Sequence, residues 1–430
     1  MARGKKNNEL TPEERLQQAL VPEEEWPYQL PEGWKWVYLG GIADEVTDKT
    51  DIFNDQTVKY IGLENIASNN GINGWQSTVG IKSTKTVFNT GDILYGKLRP
   101  YLNKHDVTTF SGVCSTDILV LRSSELADAR FINYYLNTDS FIEYAVFNSK
   151  GINLPRVSPS AVTKACIPLS NLMVQRRIIS FLNQEFSHLD EAKDRIQSIL
   201  DSSEKRKQSI LHQAFVGKLT EKWRSLHQIE LSQWKYMPLK EACNGLKYGT
   251  ASKSQKEGEV AVIRMGNLQD GEIDWSNLVY SNNAEDNEKY CLHSGDVLFN
   301  RTNSPELVGK TAIYRGEQPA IYAGYLIKLD YKDFIDGEYL NCIMNSPEEK
   351  QYCNQVKSDG VNQSNVSAAK IGEFNIPVPT IGEQHEIVRI FNAYIDNSRA
   401  IEDAARTALD QLEKTRKAIL SKAFHGELIR

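Results

Sequence analysis

Residues 204–219 read EKRKQSILHQAFVGKL, and residues 413–428 read EKTRKAILSKAFHGEL. The two tracts stand 209 residues apart and share Glu, Lys, Ile, Leu, Ala, Phe, Gly and Leu at matching places. Working backwards at the same offset, Gln175 matches Gln384, Ile167-Pro168 matches Ile376-Pro377, and Ser149-Lys150-Gly151-Ile152-Asn153 matches Ser358-Asp359-Gly360-Val361-Asn362. Further back the offset shrinks. Thr90-Gly91-Asp92-Ile93-Leu94-Tyr95 returns as Ser294-Gly295-Asp296-Val297-Leu298-Phe299, offset 204, and Trp34-Lys35-Trp36-Val37-Tyr38-Leu39 as Trp234-Lys235-Tyr236-Met237-Pro238-Leu239, offset 200. Surface loops of a globular part absorb insertions, whereas a rigid helix does not. The repeat is therefore a globular domain followed by a helix, present twice, and its period is too long for a solenoid.

The helical parts follow from spacing. Residues 174–215 contain neither Pro nor Gly, and Ile178, Leu182, Phe186, Leu189, Ile196, Leu200, Ile210 and Ala214 recur by threes and fours. Leu189, Ile196, Ser203 and Ile210 mark one heptad line, answered in the second copy by Ser398, Ala405, Leu412 and Ile419. Gly217 and Gly426 stand where helix-ending glycines stand. A helix of about 40 residues is about 60 Å long, which suits a coiled coil between the copies. Two copies related by a pseudo-twofold would pair antiparallel; two separate amphipathic helices are the simpler alternative.

The globular parts read as α+β. Val58–Leu63, Asp92–Tyr95 and Asp117–Leu121 are β-rich runs, answered by Val260–Met265, Asp296–Phe299 and Tyr325–Leu329, while Phe131–Leu136 and Phe141–Phe147 read as helix. Before them Thr11-Pro12-Glu13-Glu14 has the form of a capped helix start. The expected division is an arm at 1–25, a first domain at 26–170, a spacer helix and linker at 171–232, a second domain at 233–380 and a final helix at 381–430.

Catalytic motifs are missing. There is no Gly-rich dinucleotide fingerprint, no HExxH and no Asp/Asn-Pro-Pro-aromatic tetrapeptide. Ser304-Pro305-Glu306-Leu307-Val308-Gly309-Lys310-Thr311 carries the tail of a phosphate loop, but Ser304 stands where its first Gly belongs and the next residues read as strand, not helix. Pro347-Glu348-Glu349-Lys350 reads as a helix start with acidic first-turn residues, not as a nuclease tail. No metal and no catalytic residue is expected. The six cysteines are scattered without a CxxC pair, no apolar run follows the basic residues of MARGKKNNEL, and no apolar run reaches the ~18 residues of a membrane span. A reduced cytoplasmic setting away from membranes is the expectation.

In order, and twice over, these tracts resemble the specificity (S) subunits of type I restriction-modification enzymes. The resemblance covers nearly the whole chain. It rests on Leu30-Pro31-Glu32-Gly33-Trp34, on Gly91-Asp92-Ile93-Leu94-Tyr95-Gly96-Lys97-Leu98-Arg99-Pro100 with Cys114-Ser115-Thr116-Asp117, on Gly295–Ser304 with Leu307-Val308-Gly309-Lys310, and on the closing Gly-x-Asn, Ile-Pro and Gln of each copy. Copy one departs in having Ser170 and Val174 where copy two has Pro379 and Glu383. The resemblance implies two tandem target-recognition domains separated by the antiparallel coiled coil. Each domain would read half of a bipartite double-stranded DNA target in a prokaryotic cytoplasm. It also implies two methyltransferase (M) subunits that use S-adenosylmethionine to methylate adenine, and restriction (R) subunits that use ATP and Mg, with no cofactor on this chain.

Base edges are read by Arg or Lys on guanine and by Asn or Gln on adenine, with phosphate anchors setting register. The candidates in turn-like tracts are Lys97, Arg99, Tyr101, Asn103, Lys104, Lys150, Asn153 and Arg156 in copy one. Copy two offers Arg301, Asn303, Lys310, Asn362, Gln363 and Asn365, with Arg301 set against Arg99. Asn69, Asn70, Asn73 and Trp75, against Asn267, Gln269, Asp270 and Trp275, form a second group. The chain carries 50 Lys+Arg and 56 Asp+Glu, net −6. Residues 26–170 hold 13 basic and 14 acidic side chains, and residues 233–380 hold 15 and 20. That balance argues against strong nonspecific binding by this chain alone. A coiled-coil adaptor displaying two protein-binding domains is the reading that composition leaves open.

Overall fold

The computed structural model describes residues 11–51, 57–68, 71–81, 83–304, 308–360 and 363–428. The chain divides into two compact units, Met1–Ile196 with Thr407–Arg430, and Gln197–Arg406. Each unit thus contains one globular part, the first stretch of the long helix that follows it, and the last stretch of the other copy's helix.

In unit 1 the strand Ile93–Gly96 lies between His105–Val107 and Ile118–Ser123, with Ala43–Glu45 at the far edge, all antiparallel. A second sheet runs in the order Lys49–Thr50, Lys85–Phe88, Gly112–Cys114, Lys59–Ile61, Gln76–Ser77, with one parallel pairing. A third ladder joins Lys35–Tyr38 to Cys166–Leu169, closing the domain's beginning onto its end. Helices Ala129–Tyr135, Asp139–Phe147 and Pro159–Thr163 are capped by Asp128, Thr138 and Ser158, whose side chains accept first-turn N–H groups. The arm helix Pro12–Ala19 starts with the reciprocal Thr11 and Glu14 bonds that its sequence foretells.

Unit 2 repeats this plan. Val297–Asn300 lies between Leu326–Tyr331 and Thr311–Ile313, with Cys243–Tyr248 at the edge. Lys235–Pro238 pairs with Asn375–Val378. Helices Gly337–Ile343, Pro347–Val356 and Ala368–Gly372 start on Asp336, Ser346 and Ser367. Thr311–Ile313 is a strand, so the phosphate-loop-like tail feeds a sheet.

The long helices are Leu172–Asp201, continued by Ser203–Phe215, and Ile381–Phe424. The expected helix over 174–215 is thus interrupted at Ser202, inside a run of small polar residues that add no apolar contact. Within unit 1 Asp190 pairs with Arg416 at 2.6 Å and Lys193 with Glu413 at 3.2 Å. Three residues forward on one helix meet three residues back on the other, so these stretches run antiparallel. Within unit 2 two residues of the predicted heptad lines meet, Ser203 and Ser398, 3.1 Å apart between hydroxyls.

Each globular core is completed by the other copy's helix end. Leu420, Ala423 and Phe424 are buried among Phe131, Tyr135 and Ile178 in unit 1, with Phe424 5.0 Å from Phe131 between ring centroids. Ala214 takes the same place among Leu239, Tyr339 and Ile387 in unit 2. Burying a Leu or Phe side chain stabilises by about 1.5–3 kcal/mol, so the domains depend on both helices.

A buried glutamine joins each helix to its domain. Gln175 accepts from Asp128 N (2.9 Å) and donates to Leu126 O and Ser170 O. Gln384 accepts from Asp336 N (2.7 Å) and donates to Phe334 O and Pro379 O. Beside it unit 2 buries a charge: the Glu383 carboxylate accepts from Arg224, Thr220 and Trp234. Unit 1 has apolar Val174 at the matching place and needs no such cluster.

Pro347-Glu348-Glu349-Lys350 opens a helix with acidic first-turn residues, as its sequence reads, but Glu349 does not face water. It is fully buried, and burial pushes its carboxyl up to about 8, against a smaller opposing pull from the Cys353 thiol, which donates to Oε1 at 2.8 Å. Gly309 lies so close that a Cβ there would sit 2.9 Å from Glu349 Oε1, at a backbone φ of +94°. The unfolded chain releases this proton in the ordinary carboxylate range, near 4.5, while the folded chain holds it to about pH 8. Its stabilising contribution is therefore complete below about pH 4.5 and is lost as pH rises towards 8. Glu349→Gln, neutral throughout, should gain melting temperature relative to the parent between pH 5 and pH 8. Parallel melting curves across that range would contradict this.

Candidate nucleic-acid interface

In both units the central strand runs out of its sheet and is caught by a hairpin. In unit 1, Lys97 N donates to Asp117 O (2.9 Å), Val157 N donates to Lys97 O (3.0 Å), and Arg99 N donates to Pro155 O (2.7 Å). The hairpin pairs Ser149–Lys150 with Arg156–Val157. In unit 2, Arg301 N donates to Tyr325 O (3.2 Å) and Val366 N donates to Arg301 O (2.9 Å). Thr302–Asn303 pairs with Ser364–Asn365, which pairs with Ser358–Asp359.

These bonds correct the register between copies. The counterpart of Arg301 is Lys97, and that of Arg99 is Asn303. Two arginines with similar neighbours in sequence put the pairing of the copies two residues out of step. Along the hairpins, Arg156 of unit 1 corresponds to Asn365 of unit 2, and Leu154 to Gln363. The backbone frame is shared and the side chains on it differ.

The unit 1 candidates separate into two sets. Arg99, Tyr101, Lys150, Asn153 and Arg156 are exposed. Arg156 bridges to Asp117 at 2.6 Å, both partly open to water, a contact worth about 0–1 kcal/mol. Lys97 is half-buried; burial pushes its ammonium pKa down and Asp117 draws it back up. Asn103 and Lys104 serve the fold: Asn103 is buried and its amide donates to Asn137 (2.8 Å), and Lys104 donates to Leu63 O (2.7 Å). Arg99 and Asn103 have left-handed backbones, φ 53° and 45°, on either side of the turn Pro100–Leu102. Such strain persists only where surrounding bonds enforce it and gathers at functional loops.

In unit 2 Arg301 lies 4.9 Å over the ring of Tyr248 and donates from Nη2 to Asn365 Oδ1 at 3.1 Å. Asn365 donates in turn to Thr302 Oγ1 at 2.8 Å. Asn303 accepts from Ser304 N, Lys310 donates to Gln269, and Gln363 is exposed. Asn362 lies outside the described residues, as do Asn69 and Asn70. Of the second group, Asn267 is buried and bonds Arg264 N, while Trp75 is exposed with Lys59 Nζ 5.3 Å over its ring. Gln269 accepts the Lys310 bond, Asp270 pairs with Lys207, and Trp275 packs beside the core. Sequence reasoning missed Tyr248, whose match in copy one is the non-aromatic Asp48, so repetition offered no signal. Among the described residues no cluster of His, Cys, Asp and Glu could hold a metal, and no helix is long and apolar enough to cross a membrane.

Residues 232–411 match the family described as the type I restriction modification DNA specificity domain. The chain is 26% identical over 314 residues to the type I restriction enzyme EcoKI specificity subunit of Escherichia coli (strain K12), covering 72% of this chain and 68% of that one. A chain solved in work on complex assembly and conformational transition of the type I R-M system superposes with a TM-score of 0.74 at 21% identity, covering 94% of this chain and all of the other. The HsdS subunit from Thermoanaerobacter tengcongensis gives 0.61 at 21% identity with the same coverage. These likenesses carry the two-domain α+β fold.

Among the described residues the Arg99 side chain makes no hydrogen bond, and Arg156 is already engaged by Asp117. Arg99→Ala should therefore weaken duplex binding by the assembled complex similarly on all sequences and lower the salt slope by about one. Arg156→Ala should do less. Titration of binding against salt checks this; an unchanged slope in a folded Arg99→Ala complex would assign Arg99 to the turn alone.

Proposed function

We propose that this chain is a specificity subunit of a type I restriction-modification enzyme and that each of its units reads one half of a bipartite duplex DNA target. The observation that carries this reading is the shared frame with unlike side chains: Lys97 against Arg301, Arg99 against Asn303, Arg156 against Asn365. One backbone solution holds the loop at the same place in each unit, and different donors and acceptors on it suit different bases.

The chain itself performs no chemistry in this reading. Two methyltransferase subunits dock on it and methylate adenine with S-adenosylmethionine, and restriction subunits using ATP and Mg join them in the cytoplasm. The slightly acidic balance of both domains fits a protein whose phosphate contacts are shared with partners. The two long helices, which pass from one unit into the other, set the spacing of the half-sites.

Genome-wide mapping of methylated adenines, with and without this chain, should show one split motif that disappears when the chain is absent. Seven residues inserted into both long helices, between 196 and 197 and between 406 and 407, keep the heptad in phase and add about 10 Å. At about 34 Å per 10 base pairs the spacer should lengthen by about three base pairs. A folded, active insertion variant that methylates the original motif would overturn the spacing role.

A further inference from the structure

The geometry points to Arg301 as the reader of a guanine in the half-site taken by unit 2, with Tyr248 and Asn365 as positioning residues; the inference rests on the DNA-reading function proposed above. The guanidinium is held on two sides. Its Cζ lies 4.9 Å over the ring of Tyr248, whose hydroxyl accepts from Ala368 N at 3.0 Å, and its Nη2 is tied to Asn365. The backbone on either side is bonded to Tyr325 O and Val366 N. Nε is buried without a partner, and among the described residues Nη1 has none either, so the donors left to a ligand are those of Nη1 and the second Nη2 hydrogen. The cation therefore presents free donors without the rotamer freedom that an arginine ordinarily loses on binding.

Arg301 also lines an open groove of 660 Å³ in unit 2, with Thr250, Ser252, Lys253, Ser254 and Tyr325 around it. Lys253 is fully at the surface, whereas Arg301 is half-buried. A phosphate needs only a rim cation such as Lys253. A recessed, planar, pre-set fork suits the two acceptors O6 and N7 that guanine turns to the major groove, and the N6 donor of adenine would meet it badly. Asn365 spends one lone pair on Arg301 and one N–H on Thr302, which fixes its amide beside the guanidinium. Among the described residues of unit 1 no aromatic ring lies over the counterpart Lys97, which stands beside Asp117.

The test uses the assembled methyltransferase and the motif found by mapping. On the parent complex, 7-deazaguanine, which lacks N7, is placed at each guanine of the target in turn. One position should lose about 5- to 100-fold in affinity, and Arg301→Ala should abolish that sensitivity. Mapping should find that Arg301→Ala and Tyr248→Leu relax the same single position, in one half only, while Tyr248→Phe, which keeps the stacking ring, retains the parent motif. A target without guanine, a Tyr248→Phe variant that relaxes like Tyr248→Leu, or a uniform loss on all duplexes with a smaller salt slope would overturn the inference. The 7-deazaguanine series needs no variant, so a misfolded Arg301→Ala leaves it decisive. A complex that methylates no split motif at all would instead overturn the proposed function.

Discussion

One buried glutamine at the head of each long helix, Gln175 or Gln384, is the joint on which the molecule depends. Each carboxamide uses its oxygen and both N–H groups on backbone groups of the segments before the helix and before the domain's own short helix. A buried amide bonded in this way costs little, whereas one left unpaired costs about 1–3 kcal/mol. The bonds hold the helix in one direction relative to its sheet. That direction lets the end of the other copy's helix reach the core, where Phe424 in unit 1 and Ala214 in unit 2 are buried. Sheet, helix head and helix tail are thus one cooperative structure in each unit.

The recognition frame is built on the same economy. Both central strands end in a segment caught by a hairpin through main-chain bonds, so side chains there are free to differ without loss of fold. Unit 1 uses that freedom for exposed charge, with Arg99 and Lys150 open to water. Unit 2 uses it for a pre-set arginine against Tyr248. The copies diverge at their joints too: the Glu383 cluster of unit 2 is replaced by Val174 in unit 1.

Much of this architecture is legible in the amino-acid sequence alone. The changing offset between copies locates the globular and helical parts, and the heptad lines name Ser203 and Ser398, which meet. Local chemistry is legible wherever a rule is local, as at the Thr11 cap. What escapes depends on distant packing. Asn103 and Lys104 look like DNA-facing residues in a turn, yet Asn137 and Leu63 O, remote in sequence, take their donors. Glu349 looks like an ordinary first-turn acid until Gly309 closes over it. Pairing Arg99 with Arg301 fails because identity of side chains is a poor guide where only the main-chain bonds repeat.

The central claim is that two units on one frame read DNA independently. Its most direct test is replacement of residues 26–170 by the corresponding domain of another type I specificity subunit, followed by genome-wide mapping of methylated adenines. One half of the split motif should change to that of the donor while the other half stays as it was. A motif changed in both halves, or in neither, by a folded and active chimaera would contradict independent reading.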